Sequence, residues 1–362
     1  MLIVTILGVL LGFGYWLMTF LLQRIWQHIP SRMTPHDFLP KTPISVIVAA
    51  KNESSQISSL VSHLLAQNYP GELVEFIIID DHSDDDMVER LYEMDLPRNF
   101  HVLKANEESG KKAAITQGVE FASGELMVTT DADCIMDPAW LLSIAWLYET
   151  RQPKFIAGPV LFYAESNLFE RFQSLDFLGM MLITGAGIKS HRFYMANGAN
   201  MAFEKSTFLA VEGYKGNRHI ASGDDMFLIS KVARQFPKGS IYFNKNLDGV
   251  VRTVAAPTLS GFFRQRIRWG SKNTASKDVT LKWILAWVLL TSLWLVFFWW
   301  TKFGLVVLFL KMMGDFLLLR AASRYFGRRD LMKVFLPAFL MHTFYIALIG
   351  ALSLFWKRVK WR

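Results

Sequence analysis

Twenty-one consecutive residues, Leu2 to Leu22, carry no charged side chain. A helix of that length crosses a hydrocarbon core of about 30 Å. The chain turns apolar again toward its other end. Trp283–Trp300 and Val334–Trp356 are uncharged, and Phe303–Leu319 is broken by Lys311 and Asp315. These runs predict one spanning helix near the N-terminus and about three near the C-terminus. A cleaved leader would open on basic residues and carry a shorter apolar core. Here Arg24, Arg32 and Lys41 follow the apolar run, so a retained anchor is expected. Lys311 and Asp315 stand four apart and would share one helix side. They could be a local ion pair or the lining of a polar path.

Hydrophobic residues make up 52% of the chain and aromatic ones 14%, which excludes a disordered chain. A single cysteine, Cys134, excludes a disulfide framework and a Cys-rich zinc module. The net charge of +8 invites a nucleic-acid reading, but much of the excess sits beside the apolar runs. Arg320, Arg324, Arg328, Arg329 and Lys333 form one group, and Lys357, Arg358, Lys360 and Arg362 another. The first group predicts a cytoplasmic loop. Juxtamembrane basic residues point to membrane lipids as partners, and no nucleic acid.

The chain between these regions reads as alternating strands and helices. Ile44–Ala50, Val74–Asp80, His101–Leu103 and Leu126–Thr130 are strand-like, separated by helical patterns at 54–67 and 112–121. Such alternation predicts an α/β domain with a mostly parallel sheet. Ligands of such sheets bind beyond the carboxyl ends of the strands. Three strands end in polar clusters: Lys51-Asn52-Glu53, Asp80-Asp81-His82-Ser83 and Asp131-Ala132-Asp133. The expected partition is an anchor at 1–24, a linker at 25–42 and an α/β domain at 43–255. An amphipathic surface helix at 256–280, a spanning region at 281–356 and a basic tail at 357–362 follow.

Asp131-Ala132-Asp133 could hold a hard divalent cation or could cap a turn. Gly223-Asp224-Asp225 opens a helical pattern. There the acids could be caps, or a carboxylate kept ionised at a helix N-terminus could act as general base. Leu259, Phe262, Phe263 and Ile267 would form one apolar stripe, leaving Gln265, Arg268 and Trp269 on roughly the opposite side. Such a helix could lie on a bilayer surface, and Ser166–Thr184 could be a second. No phosphate-binding Walker loop, zinc-protease motif or serine-hydrolase elbow occurs.

Taken with Val48-Ala49-Ala50-Lys51-Asn52-Glu53, Gly110-Lys111, Gly124-Glu125, Asn197-Gly198-Ala199-Asn200 and Gln265 to Trp269, these motifs make the chain resemble membrane-bound family 2 glycosyltransferases with a GT-A fold. The resemblance spans about Lys41 to Lys272. It implies a nucleotide-sugar donor, with Ala49, Glu53, Asp81, Lys111 and Asp131 at the nucleotide. It implies Asp133 on Mg²⁺ or Mn²⁺, Asp225 as catalytic base and Arg268 facing the leaving diphosphate. Asp224, Asn200, Gln265 and Trp269 would border the acceptor or diphosphate, Gln265, Arg268 and Trp269 looking like a QxxRW motif. The expected activity is inverting transfer to a lipid, lipid-linked or glycan acceptor at the cytoplasmic face, in a bacterial inner membrane. The rival readings are a processive polysaccharide synthase, a catalytically silent membrane scaffold and a tethered nucleotidyltransferase. Asp224 stands where many such enzymes have Glu.

Overall fold

The computed structural model describes residues 2–31, 33–216, 223–275 and 278–355. Arg32 and the expected basic tail lie outside the described residues. In chain order the elements are α1 (Leu2–Gln27), β1 (Ile44–Ala50), α2 (Ile57–Leu65), β2 (Val74–Asp80), α3 (Met87–Tyr92), β3 (Phe100–Lys104), α4 (Lys111–Phe121), β4 (Leu126–Thr130), β5 (Ile135–Met136) and α5 (Trp140–Arg151). Then come β6 (Phe155–Ala157), β7 (Val160–Tyr163), α6 (Leu168–Ser190), β8 (Met201–Glu204), α7 (Lys205–Ala210), α8 (Asp224–Gln235), β9 (Ile241–Phe243) and β10 (Val251–Val254). Four helices close the order: α9 (Leu259–Ala275), α10 (Val279–Phe298), α11 (Lys302–Tyr325) and α12 (Phe335–Phe355).

The residues gather into two units. One is a sheet unit, Ser31–Leu161 with Tyr194–Val254; the other is a helical unit, up to Pro30, Phe162–Phe193 and from Ala255 onward. The helical unit therefore draws 162–193 out of the middle of the domain expected at 43–255.

In the sheet unit, β3-β2-β1-β4-β8-β6-β9 form a seven-stranded sheet among the described residues, and β5-β10-β7 a smaller one. β1 runs parallel to both β2 (Ile44↔Val74) and β4 (Ile44↔Leu126), while β8 is antiparallel to β4. The central strands read as unbroken apolar runs because helices cover both faces; Val46, Ile47, Ile77, Ile78, Met127 and Val128 are inaccessible to solvent. This is the mostly parallel α/β architecture expected.

In the helical unit, α1 packs against α11, α6 and α10, and α6 also against α11 and α12. Close approach needs small residues on α1. A Cβ at Gly12 would lie 3.1 Å from the Val307 side chain, and one at Gly8 would run into the Trp294 ring. The residues Thr5–Gln27, Val279–Phe298 and Arg329–Leu352 are long and apolar enough to cross a membrane. α11 is as long, but Lys302, Lys311, Asp315, Arg320 and Arg324 interrupt it. Its outer face carries exposed Phe303, Leu305, Val306 and Phe309, whereas Lys311 is fully buried. Lys311 Nζ meets Asp315 Oδ2 at 2.7 Å, and Tyr15 donates to Asp315 Oδ1 at 2.6 Å. The local pair is thus one link of a longer buried polar chain.

Two expectations are corrected here. α6 is not a surface helix. Phe172, Gln173, Leu175, Phe177, Leu178 and Leu182 are all buried, because its small and apolar residues extend round most of its circumference. On α9 the buried positions are Phe262 and Arg266, while Leu259 is exposed. Phe262, expected on a bilayer-facing stripe with Leu259, Phe263 and Ile267, is instead buried with Arg266 inside the helical unit.

Candidate active site

The topology builds the site in the sheet unit. β2, β1 and β4 are neighbours and all parallel, so their carboxyl ends lie along one edge. That edge holds Ala49 near the end of β1 and Glu53 after it, Asp80 and Asp81 at β2, and Asp131 and Asp133 after β4. β8 runs the other way beside β4, which brings Asn197–Asn200, ahead of it, to the same edge.

Loop-to-loop bonds stiffen this edge. Asn52 sits in the left-handed region at φ 55°, and its side-chain oxygen accepts from the Asp84 amide at 2.8 Å. The Asn52 amide donates to the Ser83 hydroxyl at 3.0 Å, and Ser54 N–H to Asp85 at 2.9 Å. Asp81 is fully buried. Both its carboxylate oxygens accept from Gly110 N–H, at 2.9 and 3.0 Å. Gly110 has φ 116°, a conformation open mainly to glycine, and so delivers Lys111 as the first residue of α4.

Lys111 pairs with Asp131 and lies 3.7 Å from Asp224 Oδ2. Burial would pull its ammonium down, but the carboxylates of Asp131 and Asp224 hold it well above the ordinary lysine range. Gly198 permits this approach, since a Cβ there would fall 2.5 Å from Asp224 Oδ2 and 3.0 Å from Lys111 Nζ. Asp224 and Asp225 open α8 and are both buried. The Met226 amide donates to Asp225 Oδ1 at 2.7 Å.

The charge balance is uneven beside that pair. Asp133 accepts from the Thr253 hydroxyl at 2.9 Å, yet burial and then Asp131 push its carboxyl up. Glu53 is pushed up to about 7 by burial, then by Asp133, Asp131 and Asp85. Carboxyls raised by one another mark a place where a cation would be welcome. Among the described residues no three His, Cys, Asp or Glu groups close on one metal position. The donor set suits a hard cation that takes one or two carboxylates and completes its shell with diphosphate oxygens and water.

Asn200 does different work from that expected. It is 1% exposed, and its amide donates to Pro159 O and Gly249 O, each at 2.8 Å, while its oxygen accepts from Trp140 Nε1 at 3.1 Å. All of these bonds point into the protein, so the side chain braces the backbone beneath the site.

Gln265, Arg268 and Trp269 belong to the helical unit, on α9. The Gln265 Oε1 is buried, and the Trp269 ring lies 5.6 Å from that of Phe177. Arg266, between them, was not a sequence candidate. Its spacing of four from Phe262 was the available signal.

Residues 45–210 match the family model described as Glycosyl transferase family 2. They form a family 2 glycosyltransferase domain. Over 236 residues the chain is 24% identical to a poly-beta-1,6-N-acetyl-D-glucosamine synthase of Staphylococcus epidermidis, covering 62% of this chain and 53% of that protein. Over 233 residues it is 26% identical to the synthase of the same description from Staphylococcus aureus strain COL, with the same two shares. The chain thus spans about half the length of the curated relatives it matches. A mannosyltransferase from Pyrobaculum calidifontis, solved in complex with GDP-Man and Mn²⁺, superimposes with a TM-score of 0.61 at 19% identity. That match covers 95% of this chain and 98% of the mannosyltransferase. This likeness shows the fold, and the α/β sheet of the family 2 domain is of GT-A type.

Proposed function

We propose that this protein is an inverting glycosyltransferase. It moves a sugar from a nucleotide-sugar, UDP-linked, to a hydroxyl of a lipid or lipid-linked acceptor at a membrane surface. The observation that carries the reading is the carboxylate group of Glu53, Asp131 and Asp133 beside Lys111, at the strand ends of a family 2 domain. Apolar helices long enough to cross a membrane support the site of action. The exposed basic residues Arg320, Arg324, Arg329 and Lys333 favour a cytoplasmic face.

In this reading Glu53, Ala49 and the Asp81 loop receive the nucleotide, while Lys111 and Asp131 lie along its phosphates. Asp133 holds Mg²⁺ or Mn²⁺, which supplies positive charge to the leaving diphosphate when bound. The acceptor oxygen attacks the anomeric carbon in line as the bond to the diphosphate breaks. Asp225 takes the hydroxyl proton, and the electron pair leaves on the nucleoside diphosphate. Arg268 stabilises the charge that grows there, and Asp224, Gln265 and Trp269 border the acceptor. One displacement inverts the anomeric centre and calls for no covalent nucleophile.

The similarity to poly-beta-1,6-N-acetyl-D-glucosamine synthases favours a second reading, processive synthesis of a glycan. One experiment tests both. The purified chain is incubated with a membrane lipid extract and a panel of sugar nucleotides that includes UDP-N-acetylglucosamine and GDP-mannose, and the products are weighed. A single added hexose or N-acetylhexosamine on a lipid supports the first reading, and a ladder of repeats the second. No transfer from any sugar nucleotide in the presence of Mg²⁺ or Mn²⁺ overturns both.

A further inference from the structure

The buried polar chain of the helical unit runs on beyond Tyr15, Asp315 and Lys311. From the Asp315–Lys311 pair it continues to His342, whose Nδ1 lies 3.4 Å from Lys311 Nζ. His342 Nε2 lies 3.6 Å from Asp176 Oδ1. Asp176 Oδ2 accepts from the Tyr345 hydroxyl at 3.0 Å and meets Arg266 Nη2 at 3.2 Å. The seam ends inside α9, at Arg266, next to Gln265 and two residues before Arg268.

α6 grips α9 along one face. The ring of Phe262 lies 5.3 Å from that of Phe169 and 6.0 Å from that of Phe172. Gln173 clamps the approach to α9, donating to Ala256 O at 2.9 Å and accepting from Ala256 N–H at 3.1 Å. Arg266 is 4% exposed. Its guanidinium lies 4.3 Å from the Trp269 ring, 5.0 Å from that of Phe262 and 6.0 Å from that of Tyr345. Its ion-pair partner is Asp176.

An all-apolar seam would hold these helices together without the cost of burying charge, but it would tolerate rotation and slip. A planar guanidinium packed against three rings and ion-paired with one carboxylate at 3.2 Å tolerates much less. We propose that Asp176 and Arg266 are positioning residues that set the rotation of α9 and so aim Arg268. Two residues on from Arg266, Arg268 is turned by about 200° round the helix, away from α6. Whatever fixes the one fixes the other. The inference rests on the proposed role of Arg268 at the leaving diphosphate.

The test uses the full chain in lipid nanodiscs, UDP-N-acetylglucosamine or GDP-mannose as donor, and lipid extract as acceptor. Arg266→Lys keeps the charge but loses the planar contacts, and Asp176→Asn keeps the shape but loses the charge. Each should lower kcat about tenfold with the donor KM within about twofold, because the loss falls on the developing leaving-group charge. In an Arg268→Lys background, Arg266→Lys should cost less than about twofold more, since the two act as one unit. Equal losses in both backgrounds indicate a merely structural role and overturn the inference. Should Asp176→Asn fail to fold, Arg266→Lys and its double variant carry the test. Full turnover by Arg266→Lys, with Arg268→Lys impaired, overturns this inference alone. Full turnover by Arg268→Lys overturns the reading of Arg268, and this inference with it.

Discussion

Glu53 shows how one side chain can report the charge balance of the site. Its carboxyl is raised from 4.5 to about 7, so the folded state binds that proton more tightly than the unfolded chain. The stability this contributes is fully present below about pH 4.5, falls as pH rises toward 7 and is gone above it. Glu53→Gln keeps the neutral form at every pH. It should therefore melt higher than the parent at pH 8 without divalent cation, and equally at pH 4.5. For a half-buried group the gap should be about 1–2 kcal/mol, read from denaturant titration at the two pH values. Two substitutions test the chemistry itself. Asp133→Ala should cut metal-dependent donor turnover by about 100-fold or more. Asp225→Asn should lower kcat by about 10²–10⁴ while donor binding, read by calorimetry, stays within a few-fold. Asp133→Ala at parental activity sinks the cation assignment; Asp225→Asn at parental kcat removes the base.

At the scale of elements, the joins between strands and helices matter more than their interiors. Asn200 ties the chain ahead of β8 to Pro159, Gly249 and Trp140. Asn200→Ala would leave two carbonyls and an indole N–H buried without these partners, at a cost of about 2–4 kcal/mol. The measured quantity is the unfolding free energy of the variant. A loss below about 0.5 kcal/mol would mean that water replaces the side chain, and that the brace is dispensable. Strands β1 to β4 were legible because their apolar runs are local, whereas the short strands β5 to β10 carry too few residues for a pattern of their own. The α9 helix was legible as a helix, but its buried face was not. Of the apolar stripe expected to face a bilayer, Phe262 is buried instead, together with Arg266, because α6 offers them aromatic rings and the Asp176 carboxylate. A charged residue inside a seam is invisible to hydrophobic periodicity.

For the whole molecule, the helical unit predicts how the protein is held in the cell. Among the described residues three helices meet the length and apolarity needed to span a bilayer, and α11 turns Lys311 inward while showing Phe303, Leu305 and Phe309 outward. The protein should stay in the membrane fraction after high-salt and alkaline carbonate washes, and require detergent for release. Release by salt alone would show surface attachment through charge. The expected domain at 43–255 missed the excursion of 162–193 into the helical unit. Its charged residues near the N-terminal end suggest a surface helix, and nothing nearby announces that helices from both ends of the chain close around it.

Spacing along the chain sets what neighbouring residues decide together. It set the alternation of strands and helices, the acids at strand ends and the apolar lengths at both termini. Each is written within a few turns or one strand, where side-chain spacing acts directly. Tertiary structure alone decided which carboxylates crowd one another, which asparagine becomes a brace and which arginine is buried. Those outcomes depend on desolvation and on partners as distant as Tyr15 from Asp315 or Asp176 from Tyr345. Such partners become neighbours only once the chain has closed.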